Sequence, residues 1–227
     1  MAIIEPVRED VERPQQIKKY AAALRLWHWA NFIVISGSLI TVLINSTITD
    51  DRKTSNIIKD SLQKSSATVS DNQIRDAAHS LSDSVWDVHA YFGYFLAGLF
   101  LFRIILEFFQ VADQKFIRGL KSAYTQFKIV KRNRELALHE LTVKIIYLGF
   151  YFLLLVMVLT GLFLAFEDAM RPFHAIRHTV KNVHNLGMYL VLAFVIVHLG
   201  GVFLAERRKD GRGIVSDMIN GGGDAIS

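Results

Sequence analysis

An all-α, integral membrane protein built as a four-helix bundle with both termini in the cytoplasm is the fold class this sequence predicts, and three observations predict it. Four apolar segments, at about 24–44, 86–109, 142–165 and 183–205, each approach the roughly 20 residues that a helix needs to cross a hydrocarbon core of about 30 Å. Of the 227 residues, 52% are hydrophobic, 16 are Phe and only 3 are Pro, which is too apolar for an ordinary soluble domain. Lys and Arg divide unequally between the two sets of connections. Sixteen lie in the N-terminal tail through Arg25, the 110–141 connection and the C-terminal tail, against eight in 46–85 and 166–182, and the richer side is the cytoplasmic one.

Taken in order, residues 1–23 are polar and mixed in charge, with Pro6 and Pro14. They read as a cytoplasmic tail, too acidic to be the basic start of a cleavable signal. The first span opens with Trp27 and Trp29, residues of the aromatic belt at a membrane interface. The 46–85 connection on the outer face is rich in Ser, Asp and Thr, but Ile74, Ala78, Leu81 and Val85 recur at helical spacing and predict an amphipathic helix leading into the second span. A solvated cap with one helical turn accounts for so short a pattern equally well. Residues 206–227 form a second cytoplasmic tail. There is no cysteine, which excludes disulfides, thiolate-held iron–sulfur clusters and covalent attachment of c-type haem. The net charge of +5 reports orientation in a membrane rather than nucleic-acid binding.

Eight histidines are present, and the order of the spans sorts four of them. His28 lies at the cytoplasmic end of the first span, His89 one turn into the second from the outer face, His184 at the outer start of the fourth and His198 near its inner end. Fourteen residues of helix rise about 21 Å and turn about 40° short of four full turns, so His184 and His198 leave the same side of one helix near opposite membrane faces. The pairs that can meet are His89 with His184 outside and His28 with His198 inside. Ionisable groups at membrane depth are costly and face the bundle interior. Bis-histidine ligation suits haem, whose iron takes two axial nitrogens on opposite faces of a flat macrocycle, and a four-helix interior can hold it. Taken singly, each of these histidines is more often a hydrogen-bonding or snorkelling residue.

Gly93 and Gly187 are placed to let a ring approach the helix backbone, although ordinary small-residue packing accounts for them as well. Arg103, fourteen positions after His89, is a candidate partner for a haem propionate. An i, i+4 pair with Glu107 accounts for it equally. Lys144 is expected to snorkel to the interface. A transition-metal site from His174, His178 and His184 on the outer loop is a further arrangement to test.

These residues resemble the bacterial cytochrome b561-type membrane subunits, and within them the b-type cytochrome subunit of membrane-bound nickel–iron hydrogenases. The resemblance covers about residues 20 to 222. Its carriers are Arg25-Leu26-Trp27-His28-Trp29, His89 with Arg103, Thr160-Gly161, His184-Asn185-Leu186-Gly187-Met188 with His198, and the stretch Gly213-Ile214-Val215-Ser216-Asp217-Met218-Ile219-Asn220-Gly221. This chain reads Leu138-His139-Glu140-Leu141 where such hydrogenase subunits often carry Gly-His-Asn-Pro, and Lys181 where they commonly carry another histidine.

The resemblance implies two haem b groups with His28, His89, His184 and His198 as axial ligands. It further implies a di-haem subunit of a bacterial inner membrane that transfers electrons between an outer-face iron–sulfur subunit, first of all that of a nickel–iron hydrogenase, and menaquinone or ubiquinone near the cytoplasmic face. Arg25 and Arg103 are candidate propionate or quinone contacts, and His139 is a candidate quinone-site residue. Lipid, quinone and the iron–sulfur subunit are the expected partners, and nucleic acid is not. Three alternatives stand beside this reading: a formate dehydrogenase or other reductase as partner, a free-standing quinol-oxidising cytochrome b561, and, from a different class, a haem-free membrane anchor or transporter whose histidines are hydrogen-bonding core residues.

Overall fold

The computed structural model describes residues 22–65, 67, 69–109, 116–125, 127–128, 134–207 and 213–221. The described residues form helices and no strand. In order they are α1 (Ala22–Thr47), α2 (Asp51–Lys64), α3 (Asp71–Phe109), α4 (Phe116–Thr125), α5 (Arg134–Ala165), a 3-10 turn (Arg171–Ile176) that leads into α6 (Arg177–Glu206), and α7 (Ile214–Asn220). The expected N-terminal tail falls almost wholly outside the described residues, as does the end of the C-terminal one.

Four stretches are long and apolar enough to cross a membrane: Ala22–Thr47, Asp71–Phe109, Leu141–Ala165 and Arg171–Glu206. The outside of the bundle is correspondingly apolar, with Leu43, Phe95, Phe152 and Leu199 exposed on it. Exposing apolar surface to water costs about 25 cal/mol per Å², whereas lipid tails match it at no such cost. The chain is an integral membrane protein.

α1 packs against α3, α5 against α6, and α3 against α5. The α1–α3 contact is close: the Phe92 ring seats on the backbone of Gly37, and the Trp27 indole N–H donates to the carbonyl of Leu99 at 2.7 Å. α3 has 39 residues and so runs about 58 Å, nearly twice a hydrocarbon thickness of about 30 Å. Its first half therefore stands clear of the hydrocarbon. Ser70 starts it with a capping box, its hydroxyl accepting from the Gln73 N–H at 3.3 Å while Gln73 Oε1 accepts from the Ser70 N–H at 3.0 Å.

The helix expected before the second span is thus present, and it runs unbroken into that span. Ile74 and Ala78 are buried, as their spacing predicts. The next inward residue is Ser82 and not Leu81, which is exposed. Ser82 is accommodated by Asn45 at the end of α1: its hydroxyl donates to Asn45 Oδ1 at 3.2 Å, and the Asn45 amide donates back to the Ser82 carbonyl at 3.4 Å. α2, which packs on this half of α3, carries no strong apolar signal. Asp50 caps it by accepting from the Lys53 N–H at 3.1 Å, and Thr54 is buried, with its hydroxyl on the Ile48 carbonyl at 3.2 Å.

At the other end of the bundle α7 folds back on α6. Glu206 accepts from the Gly213 N–H at 2.8 Å. Gly213 (φ 92°) and Gly221 (φ 101°) bracket α7 in the left-handed region, where a side chain would be strained.

Candidate functional site

The structure brings the four histidines together as two pairs. His89 of α3 faces His184 of α6 with ring centroids 6.3 Å apart and planes at 84°. His28 of α1 faces His198 of α6 with centroids 6.3 Å apart and planes at 59°.

Around the first pair each imidazole meets a hydroxyl from a neighbouring helix. His89 Nδ1 lies 3.0 Å from Thr41 Oγ1 and 3.4 Å from Ser38 Oγ, both on α1. His184 Nδ1 lies 2.8 Å from Thr160 Oγ1 on α5. Each threonine hydroxyl also reaches a backbone carbonyl, Thr41 that of Ser38 at 2.6 Å and Thr160 that of Val156 at 2.6 Å. Trp86, one turn before His89, stands edge-on to it with centroids 5.4 Å apart. Gly161 leaves room for His184, since a Cβ there would stand 3.3 Å from His184 Cε1. Apolar side chains, among them Ile35, Leu39, Leu154 and Met188, line the cleft beside the pair, which holds a cavity of about 80 Å³. Gly187 receives the Met157 thioether against its backbone, whereas nothing lies within 4 Å of the position a Gly93 Cβ would take. Close side-chain packing therefore accounts for Gly187, and open space adjoins Gly93.

The second pair has a different setting. His198 is stacked on Phe194, one turn before it, at 5.8 Å and 6°, and Phe194 is stacked in turn on Phe150 of α5 at 4.0 Å and 13°. His28 stands edge-on to Trp29 at 5.3 Å. Among the described residues, the buried side-chain polar atoms with no hydrogen-bond partner are Arg25 Nε, His28 Nδ1 and Asn31 Oδ1, all within two turns of α1. α7 lies beside this turn: Arg25 Nη1 donates to the Ile219 carbonyl, and the Trp29 indole N–H donates to the Met218 carbonyl at 3.2 Å.

Arg103 is buried, and its partners are protein groups. Nη1 pairs with Glu107 at 3.1 Å, Nε donates to the Tyr151 hydroxyl at 3.1 Å, and the guanidinium lies 6.0 Å from the Trp27 ring centre. Glu107 in turn accepts from the Phe116 and Ile117 amides at 3.2 and 3.0 Å, capping α4. The i, i+4 pair of Arg103 with Glu107 is formed. His139 lies on α5, with its side chain outside the described residues. Lys144 reaches the Gly119 carbonyl at 2.9 Å. The loop histidines do not join His184: His178 Nδ1 is 3.3 Å from the Asn182 amide, and no group of three or more His, Cys, Asp or Glu among the described residues could hold a metal ion.

The histidine geometry fits haem. Metal–imidazole bonds of about 2 Å, extended by about 1.1 Å from each nitrogen to its ring centre, put the two axial rings of one iron about 6 Å apart. Both pairs stand at 6.3 Å. An iron held by two such imidazoles would keep no open site for a substrate and would be suited to electron exchange. Thr41, Ser38 and Asn31 are not singled out by sequence, and Thr160 enters only as part of the Thr160-Gly161 stretch, with no role attached. A hydroxyl residue in an apolar span is a faint signal, because it can satisfy itself on its own helix backbone.

The family described as prokaryotic cytochrome b561 matches residues 19–221 of this chain. No curated protein and no solved structure matches it.

Proposed function

The chain belongs to the prokaryotic cytochrome b561 family and is a membrane b-type cytochrome of electron transfer, and we propose that it passes electrons between a redox partner beside the His89–His184 pair and a quinone beside the His28–His198 pair. One observation carries this reading: the same 6.3 Å imidazole separation occurs twice, at two levels of α6 that are fourteen residues, or about 21 Å, apart. Four imidazoles suffice for two haem b groups, and with no cysteine in the chain the ligation is non-covalent. Bound there, haem supplies a one-electron carrier at each level. The chain's own side chains do the rest. Thr41 and Thr160 orient His89 and His184, Phe194 holds the plane of His198, and Ile35, Leu39 and Met188 keep water from the cleft.

The partner in this reading is an iron–sulfur subunit, first of all that of a nickel–iron hydrogenase, with menaquinone or ubiquinone as the exchangeable substrate. Two features support it. The stretches 25–29, 184–188 and 213–221 resemble those of hydrogenase cytochrome subunits, and the polar α2–α3 hairpin extends from the same helix that carries His89, giving a protein a surface to dock on. The basic connections orient the chain with both termini in the cytoplasm of a bacterial inner membrane. That puts His89 and His184 outside and places Arg25 and Arg103 on the quinone side, with His139 as a further candidate there.

The test is a reduced-minus-oxidised visible spectrum with haem quantification on the purified chain. Two b haems per chain are expected; one or none overturns the reading. Purification in mild detergent from the native membrane is expected to bring down an iron–sulfur protein, and a chain that purifies alone in every detergent removes the partner from the reading.

A further inference from the structure

We propose that Thr41 and Thr160 are positioning residues that lock His89 and His184 in the tautomer carrying its proton on Nδ1 and, by drawing on that proton, lower the reduction potential of a haem held between them. The proposal rests on the reading that haem is bound at this pair.

A hydroxyl has one proton to give. Thr160 lies 2.6 Å from the Val156 carbonyl and Thr41 lies 2.6 Å from the Ser38 carbonyl, and a carbonyl can only accept. Each hydroxyl proton is therefore spent on its own helix. Toward His184 Nδ1 at 2.8 Å and His89 Nδ1 at 3.0 Å the hydroxyl oxygen is left to accept, so each Nδ1 carries the hydrogen. A neutral imidazole has a single N–H, and Nε2 is then the nitrogen with the free lone pair, ready for a metal.

The arrangement also acts on the electronics of the ligand. A hydroxyl that donates to a carbonyl is polarised into a better acceptor, and in a low-dielectric interior the effect is stronger. An acceptor on the outer N–H of a ligating imidazole fixes its orientation and raises its basicity. A more basic ligand favours the ferric over the ferrous state and so lowers the potential. The site draws one residue from each span, Thr41 from α1, His89 from α3, Thr160 from α5 and His184 from α6, so the lock forms only when the whole bundle is assembled. Nothing equivalent serves His28, whose Nδ1 is buried with no partner.

Thr160 is the cleaner site to probe, because His89 has Ser38 within 3.4 Å as well. Redox titration of the full-length holoprotein, followed in the visible spectrum, reads both haems. Thr160→Val removes the hydroxyl at nearly constant shape. It should raise the potential of one haem by about 59 mV, a tenfold shift in its one-electron equilibrium, and leave the other unchanged, while Thr160→Ser should stay near the parent. A Thr160→Val protein with both haems and an unmoved or lowered potential overturns the proposal. A second measurement needs no variant: in the reduced, diamagnetic protein labelled with 15N-histidine, the Nδ1–H signals of His89 and His184 should lie downfield of that of His28, and equal shifts overturn it. Failure of the underlying reading looks different, since the parent protein then shows no two-haem spectrum.

Discussion

The imidazole of His184 lies on the backbone of Gly161, so close that a Cβ at that glycine would stand 3.3 Å from Cε1 and 3.9 Å from Nδ1. The ring is thus held between this backbone and the Thr160 hydroxyl, two adjacent residues of α5. Gly161→Ala should push it aside by a few tenths of an ångström, keeping both haems but altering the low-spin electron paramagnetic resonance signal of one. Gly161→Leu has no such escape and should cost that haem alone. Unaltered signals in both variants would show that the contact does not position the ring.

The pairing itself is open to a direct check. His89→Ala should remove the haem shared with His184 and leave the other, halving the haem content per chain, and His198→Ala should do the converse. Spectra of the two variants should sum to that of the parent. Loss of both haems from either one, in a protein that still elutes as a folded species, would mean that the pairs are not independent sites.

How far the sequence carries can be judged from particular residues. The spans are legible because a bilayer demands about 20 apolar residues whatever the tertiary contacts, and the histidine pairs because fourteen residues is nearly four helical turns. α2 is hard to read: Asp51–Lys64 is polar overall, its inward stripe of Thr54, Ile58 and Leu62 holds only two apolar residues, and it is held by the Asp50 cap and a buried Thr54. Ser82 takes the inward place that apolarity assigns to Leu81, because the decision rests with Asn45 on another helix. Thr41, and the role of Thr160 within the Thr160-Gly161 stretch, escape for the same reason. Their bonds to Ser38 and Val156 are local and common to any threonine in a helix, while the bonds to histidine exist only after four helices have met.

Arg103 and Glu107 make the case for an internal ion pair held by geometry. Their side chains are 8% and 18% exposed, at 3.1 Å, and Tyr151 and the α4 amides satisfy the remaining groups. Removing one partner strands the other charge, which costs roughly 3 kcal/mol or more. Glu107→Ala is therefore expected to lower the thermal midpoint in detergent markedly, whereas the double variant Arg103→Met/Glu107→Leu should recover much of the loss. A single variant as stable as the parent would mean that the charge reaches water or lipid head groups instead.

α7 is tied to the turn of α1 that carries His28 through Arg25 and Trp29, and its start depends on Gly213 at φ 92°. A side chain there costs about 1 kcal/mol of backbone strain. Gly213→Val should loosen the segment, seen as faster proteolysis after Glu206, and should perturb the haem of the His28–His198 pair while sparing the other. Equal perturbation of both haems would place the effect of α7 elsewhere.

The two pairs share a separation and differ in what stands behind them, and that difference orders their potentials. Behind His89 and His184 are hydroxyl oxygens 3.0 and 2.8 Å from Nδ1, the acceptors of the proposed tautomer; behind His28 the Nδ1 is buried and unpartnered, and His198 is backed by the flat face of Phe194. The more basic imidazoles favour the ferric state, so the lower of two reduction waves should belong to the His89–His184 pair. His89→Ala identifies it: the variant should lose the lower wave and keep the upper. Loss of the upper wave instead would reverse the order. With the order as argued, an electron delivered at the His89–His184 end would move downhill in energy toward the His28–His198 end, and the proposed role of the threonines of α1 and α5 would bias the direction of flow through α6.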